Sequence, residues 1–426
     1  MKFIYPDSLD FVDPNYDFLL DEFAPGRKPY WDDQFAHEIM KTPPYDGLLM
    51  SRALLGVDGL SGKYPESQAM RFARVGAKEF FRLNQKQSDE FLLFGDCGAF
   101  SYSGMEIPPY TATDMVEFYE YGGFTHGCAI DHIIFEFSAD GPGSEESRRR
   151  FDITLDLAEK FMAEHKRLNA SFVPVGVAQG WSPASLARAT KRLLEIGYNY
   201  IAIGGLVPLN LQAIRSAVTA VSNAMKMVPD GKIHLLGFAK AEGISEFTKF
   251  KVASFDSTSP LLRAFKDSTR NYWLPGSNSD IDYYSAIRVP QTYANNTLMK
   301  AVKRGKYSQD ELLKAETIAL TALRSFDRDN ASIPETLDAV LKYSWYLIAA
   351  ADLSDEKVEH KLLKLKKDYT RTLELKPWKK CECNICVDCS IEVIIFRASN
   401  RNKRRGMHNL YTFHNHTKHL LLGSSE

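Results

Sequence analysis

Two groups of residues in this chain could do chemistry. The first is Cys381, Cys383 and Cys386, three thiols in a Cys-x-Cys-x-x-Cys turn, with His408 lying 22 residues beyond the last of them. Thiolates on one tight turn bind zinc, and a fourth protein ligand closes a tetrahedral, structural site with no position for a catalytic water. Cys389, His408, His414, His416 and His419 are all near enough in sequence to supply that ligand. Disulfides fit poorly, because the chain has six cysteines in 426 residues and four of them fall within nine positions. Such a metal holds architecture, so the reaction chemistry has to sit elsewhere. The second group follows short apolar runs: Asp96 after 91–94, Gln179 after 172–177, Gly204 and Gly205 after 200–203, and Asp256 after 252–255. A single aspartate after a strand commonly caps the next helix. Two of them, with a glutamine and flanking glycines, suit a flat, hydrogen-bonding ligand such as a nucleobase, with Phe100 as a stacking surface.

These residues need a scaffold that brings strand ends together. Between residues 46 and 257, apolar runs at 47–50, 91–94, 132–137, 172–177, 200–203, 233–238 and 252–255 alternate with helix-like segments such as 147–165, 182–196 and 209–227. Buried strands with helical crossovers make a parallel sheet. Seven such units point to an α/β fold of the TIM (β/α)8 barrel type more than to an open doubly wound sheet, and no G-x-G-x-x-G follows the first run. The eighth strand is expected within 282–290. A barrel of this kind gathers its chemistry at the carboxyl ends of its strands, where the second group lies. Residues 294–370 lose the strand signals and read as helices. The expected organisation is an N-terminal extension (1–45), a catalytic barrel (46–293), a helical subdomain (294–375) and a zinc-binding tail (376–426).

With 44% hydrophobic residues the chain can bury a large core. No apolar run is long enough to span a membrane, and the first residues lack the pattern of a signal peptide, so a cytoplasmic protein is expected. The net charge of -1 hides an asymmetry. Residues 1–50 carry ten acids against four bases, and residues 357–405 carry fourteen Lys or Arg against six acids. Phosphate affinity comes from clustered cations, so Arg401, Lys403, Arg404 and Arg405 are candidate nucleic-acid contacts.

At this point several motifs converge. Asp96-Cys97-Gly98-Ala99-Phe100 resembles the Asp-Ser-Gly-Gly-Phe/Tyr of the tRNA-guanine transglycosylases. Gly176-Val177-Ala178-Gln179-Gly180 is similar to their Gly-x-x-Gln-Gly, Ile203-Gly204-Gly205-Leu206 to their Ile-Gly-Gly-Leu, and Phe255-Asp256-Ser257 to their nucleophile motif in its archaeal form. Cys381, Cys383 and Cys386 with His408-Asn409-Leu410 resemble their zinc signature, which makes His408 the fourth ligand. The blocks cover residues 90–260 and 381–410, in the family's order.

The resemblance implies a base exchange by a pentosyltransferase. Asp256 would attack C1′ of a guanine nucleoside to give a covalent glycosyl-enzyme, and an incoming 7-deazaguanine would displace the enzyme. Asp96 would be the general acid/base. Gln179, Gly204 and Gly205 would read the base edges, and Phe100 and Leu236 would cover its faces. The carboxylate for the amino-pyrimidinone edge would be Glu136, with Asp140 competing. The departures matter too. Cys97 and Ala99 replace the family's serine and second glycine, and Ser259-Pro260-Leu261-Leu262-Arg263 stands where bacterial tRNA enzymes carry an arginine-rich stretch. The 18 residues after His408 leave no room for the archaeal RNA-binding domain. The overall pattern, opening residues included, is most similar to the DNA-guanine transglycosylases of 7-deazapurine DNA modification clusters. That implies DNA and 7-cyano-7-deazaguanine as substrates, structural zinc, and a companion ATPase. The alternatives are a divergent tRNA enzyme and a non-catalytic nucleic-acid-binding paralogue.

Overall fold

Short apolar runs between turn signals make the strands of this protein. In the computed structural model, which describes every residue except 58, 239, 277–279 and 424–426, eight of these runs close a parallel barrel. They are β1 (Lys2–Pro6), β2 (Gly47–Ser51), β3 (Leu92–Asp96), β4 (His126–Cys128), β5 (Val173–Ala178), β6 (Tyr200–Ile203), β7 (Lys232–Leu235) and β8 (Val252–Asp256). Each strand pairs with the next, and β8 returns to β1, so that Ile4 is in register with both Gly47 and Asp256. The interior is filled by Ile4, Leu49, Phe94, Cys128, Val175, Val177, Tyr200 and Ala202, all buried. A filled interior makes the barrel a core rather than a pore.

The helices of this unit are laid down by local signals. Glu145–Arg167 buries Phe151, Thr154, Ala158, Phe161 and Met162, a stripe with helical spacing. Thr111, Ser144, Ser182 and Asn210 each accept a first-turn N–H at the start of a helix, a cap that contributes about 1 kcal/mol. The strand ends therefore stand on a rigid frame.

Two expectations change here. The eighth strand is not at 282–290: β9 (Tyr272–Pro275) pairs antiparallel with β10 (Ile281–Tyr284), and Ile287–Arg288 pairs with Ile395–Phe396. The barrel is closed instead by Lys2–Pro6, a five-residue strand separated from Gly47–Ser51 by about 40 residues that carry no long helix. The fourth strand is His126–Cys128, while residues 132–137, equally apolar in part, are irregular.

The chain divides into two compact units. One comprises residues 1–9, 45–259 and 417–426, and the other residues 10–44 and 260–416. The expected N-terminal extension is thus shared between a barrel strand and the second unit. That unit contains the expected helices, Gln309–Asp327, Ile333–Ala349 and Asp355–Leu375, the first two capped by Ser308 and Ser332. None of the described helices is long and apolar enough to cross a membrane.

Candidate active site

The carboxyl ends of β3, β4, β5, β6 and β8 bring together Asp96, Asp131, Gln179, Gly204 and Asp256. Asp96 is the last residue of β3, and its Oδ2 accepts the N–H of Gly98 at 2.9 Å. That turn needs glycine. Gly98 has φ +86°, and a β-carbon there would lie 2.3 Å from Ser51 Oγ. Asp131, three residues beyond β4, is buried and held by two side chains. Gln179 Nε2 donates to its Oδ2 at 2.6 Å, and the Cys97 thiol donates to its Oδ1 at 3.1 Å. Tyr102 O–H donates to the backbone carbonyl of Asp131 at 2.7 Å. Gln179 Oε1 in turn accepts Ile134 N–H at 3.1 Å, which fixes the amide's orientation. Gly204 makes room for that amide, since a β-carbon there would sit 2.2 Å from Gln179 Nε2.

Ligand-type atoms of Asp96, Cys97 and Asp131 lie within 4.8 Å of one another. Three acids share this mouth with no arginine or lysine paired to them among the described residues. Burial first, then the neighbouring charges of Asp131 and Asp256, push the Asp96 carboxyl up to about 7. Burial also raises Asp131 and holds the Cys97 thiol protonated. A carboxyl poised near neutrality can give and take a proton in one cycle. Asp256, the last residue of β8, is buried apart from 6% of its surface. Its Oδ1 accepts from the Gly237 N–H at 2.9 Å and faces His234 Nε2 at 3.1 Å.

Of the expected catalytic and base-contacting residues, Asp96, Gln179, Gly204, Gly205 and Asp256 are gathered here, and Leu236, partly buried, follows β7. Phe100 is 53% exposed and has Phe135 beside it, with ring centroids 5.8 Å apart. Glu136, expected at the base edge, is committed to the following helix. It is exposed, and its Oε2 accepts from Ser147 Oγ at 2.6 Å and Ser144 N–H at 2.9 Å at the start of helix Glu145–Arg167. Asp140 lies in an exposed turn. Asp131 is the carboxylate the sequence reading missed. The signal was present: 127–130 is an apolar run ending in an aspartate, like the other strand ends, but the longer run at 132–137 drew the strand assignment.

In the second unit, Cys381, Cys383, Cys386 and His408 form one cluster. The sulfurs lie 3.4, 3.4 and 3.3 Å from His408 Nδ1. A tetrahedral zinc with ordinary Zn–S and Zn–N bonds has sulfur–nitrogen edges of about 3.5 Å. His408 Nε2–H donates to the Trp273 carbonyl at 2.7 Å, which leaves the Nδ1 lone pair facing the thiols. Tyr272 O–H faces Cys386 Sγ at 3.1 Å. The four residues therefore fit a metal ion. Cys389, buried, and His414, His416 and His419 are not members of the cluster.

The basic run before His408 is a correction. Arg401 and Arg405 have no exposed surface and Arg404 only 6%. Arg401 pairs with Asp21 and with Glu392 at 2.8 Å. Arg404 donates to the Asp13 carbonyl at 2.7 Å, Arg405 to the carbonyls of Ala264 (2.7 Å) and Val393 (3.2 Å), and Lys403 to that of Phe11 at 3.0 Å. The three arginines are spent inside the unit, away from solvent, and Lys403 is half-buried. The segment near the N-terminus supplies several of their partners, the Asp21 carboxylate and the carbonyls of Phe11 and Asp13 among them.

The comparisons agree with this geometry. The chain is 40% identical to a DNA-guanine transglycosylase of Salmonella montevideo, an alignment covering 100% of this chain and 99% of that protein. A queuine tRNA-ribosyltransferase of Psychrobacter sp. (strain PRwf-1) is 30% identical over 28% of this chain and 31% of its own length. Another, from Psychrobacter cryohalolentis, is 26% identical over 37% of this chain and 40% of its own. No family model matches. With a full-length relative at that identity and a carboxylate cluster at the mouth of a (β/α)8 barrel, the chain is a pentosyltransferase and belongs to the DNA-guanine transglycosylases of the tRNA-guanine transglycosylase superfamily.

Proposed function

We propose that this enzyme replaces guanine in DNA by 7-cyano-7-deazaguanine through two displacements at C1′. The observation that carries the reading is the gathering of Asp96, Asp131 and Asp256 with Gln179 at one barrel mouth. In the first displacement a carboxylate oxygen of Asp256 gives an electron pair to C1′ and the C1′–N9 bond breaks. The base leaves with the electron pair of the broken C1′–N9 bond and takes a proton from Asp96. In the second, the incoming base attacks C1′ through N9, its N9 proton passes to the Asp96 carboxylate, and the bond to Asp256 breaks. Two inversions retain the anomeric configuration. Asp131, Gln179 and the backbone of Gly204 and Gly205 bind the base edges, while Phe100 and Leu236 cover its faces. Cys381, Cys383, Cys386 and His408 hold zinc, which supplies folding energy rather than reaction chemistry.

DNA is favoured as substrate because the relative bearing that name matches along the whole chain, whereas the tRNA enzymes match about a third of it. The target base has to leave the stack, at a cost of a few kcal/mol in a duplex. A companion ATPase that opens DNA would lower that barrier. The test is a denaturing gel of enzyme with guanine-containing DNA, run beside nucleoside mass spectrometry of DNA and tRNA after incubation with 7-cyano-7-deazaguanine. A denaturation-resistant adduct lost in Asp256→Ala, with modified deoxynucleoside in DNA, is expected. Modified nucleoside in tRNA alone overturns the choice of DNA, and absence of both adduct and product favours a non-catalytic paralogue.

A further inference from the structure

A line of buried polar groups runs through the barrel interior to Asp256. Tyr200 OH lies 2.6 Å from Ser254 Oγ, Ser254 Oγ lies 2.5 Å from His234 Nδ1, and His234 Nε2 lies 3.1 Å from Asp256 Oδ1. His234 and Ser254 are fully buried and Tyr200 nearly so. The His234 ring stacks on Phe94 at 4.8 Å, and Phe94 stacks on His126 on its other side at 4.4 Å. The ring is therefore clamped in plane and in rotation, in a part of the barrel otherwise packed with apolar side chains.

The carboxylate sets the direction of this line. An ionised Asp256 only accepts, so His234 has to carry its hydrogen on Nε2. In a neutral ring Nδ1 is then the acceptor and takes the Ser254 hydroxyl hydrogen, which leaves Ser254 Oγ to accept from Tyr200 O–H. The consequence falls on the nucleophile. Oδ1 receives two donors, His234 Nε2–H and the Gly237 N–H at 2.9 Å. Oδ2 receives none from any described residue, and it is not among the buried polar atoms lacking a partner, so it opens onto the mouth. A doubly hydrogen-bonded oxygen is a poorer nucleophile than its free twin, and the two anchors on Oδ1 fix where the twin points.

We propose that His234, set by Ser254 and Tyr200, is a positioning residue that holds Asp256 by Oδ1 and presents Oδ2 as the atom that bonds C1′. This rests on the reading of Asp256 as nucleophile. The experiment measures the single-turnover rate of adduct formation and the affinities for DNA and for the incoming base, in wild type and in His234→Leu, His234→Gln, Ser254→Ala and Asp256→Asn. His234→Leu is expected to lower the adduct rate about 10²-fold, the size of a small misplacement of a reacting group, with both affinities unchanged. His234→Gln returns an N–H donor near Oδ1 and is expected to recover most of that loss. An adduct rate in His234→Leu within threefold of wild type, while Asp256→Asn is inactive, overturns the positioning role and leaves the nucleophile intact. An adduct formed by Asp256→Asn instead overturns the underlying reading. Neutron diffraction of the wild-type enzyme needs no variant to fold: hydrogen on His234 Nε2 is required, and hydrogen on Nδ1 alone refutes the proposal.

Discussion

The barrel mouth and the arginine cluster of the second unit bury ionisable groups in opposite ways. At the mouth, Asp96, Asp131 and Asp256 sit together without a cation, and burial first, with their mutual repulsion next, raises the Asp96 carboxyl to about 7. In the second unit, Arg397 and Arg401 share Asp21, Arg397 reaches Glu316 at 2.6 Å, and Glu392 is shared by Arg401 (2.8 Å) and Arg324 (2.7 Å). There Arg324, Arg397 and Arg401 meet acids, while Arg404 and Arg405 spend their donors on backbone carbonyls and on the side-chain amides of Asn400 and Asn402. The first arrangement keeps protons mobile near neutral pH. The second keeps charges fixed and specifies which segments belong together. Burial alone therefore does not mark a functional charge; like charges buried together at a strand-end mouth do.

Perturbing each region separately tests that difference, and the largest effect belongs to the metal cluster within the fixed region. Cys383→Ser removes one thiolate from the set facing His408 Nδ1. Because metal binding is folding energy, the variant is expected to lose its zinc by elemental analysis and about 10 °C in thermal midpoint. A variant that keeps both has its structural metal elsewhere. Next in size is Asp21→Ala, which strands Arg397 and Arg401 in a buried setting. Breaking a buried pair from one side costs about 3–5 kcal/mol, read from denaturant unfolding. The adduct rate per folded molecule and the salt dependence of DNA binding should both stay as in wild type. A steeper salt slope would mean that these arginines, relieved of Asp21, reach phosphate, and the contrast between the regions would fail.

Much of this was legible in the sequence, for identifiable reasons. Strand runs followed by Asp96, Gln179, Gly204 and Asp256 announce a barrel mouth, because the same alternation that buries the strands places the next residue at its rim. The thiol spacing announces the cluster of three cysteines and His408, since a set of ligands depends on local geometry that a short motif fixes. What was hidden depends on long-range pairing. Lys2–Pro6 gives no sign that it lies between residues 47 and 256 in register. The run from Arg401 to Arg405 is indistinguishable from a phosphate-binding stripe until Asp13 and Asp21, nearly 400 positions earlier, are seen to meet it. Asp131 was overlooked because β4 is only three residues long and the stronger apolar run follows it. His234, an apparently ordinary core histidine, gains a role only through Ser254 and Asp256 on the neighbouring strand.

The subtlest effect concerns the proton on Asp96. Its carboxyl is raised from 3.8 to about 7, by burial first and by Asp131 and Asp256 next. Adduct formation needs that proton, so its single-turnover rate is expected to be full below about pH 7 and to fall as pH rises through it. Asp131→Asn removes one of the two like charges while keeping the shape of the site. The falling limb should therefore move to lower pH, alongside a weaker affinity for the incoming base. Stability follows the same sign. The folded state holds the Asp96 proton more tightly than the unfolded chain, so wild type loses stability as pH rises between about 4 and 7. In Asp131→Asn that loss should be smaller, visible as a flatter thermal midpoint across the same interval. If neither the rate limb nor the midpoint responds, Asp131 does not act on Asp96 through its charge. The mouth would then resemble the second unit, with each acid already neutralised by its own partners.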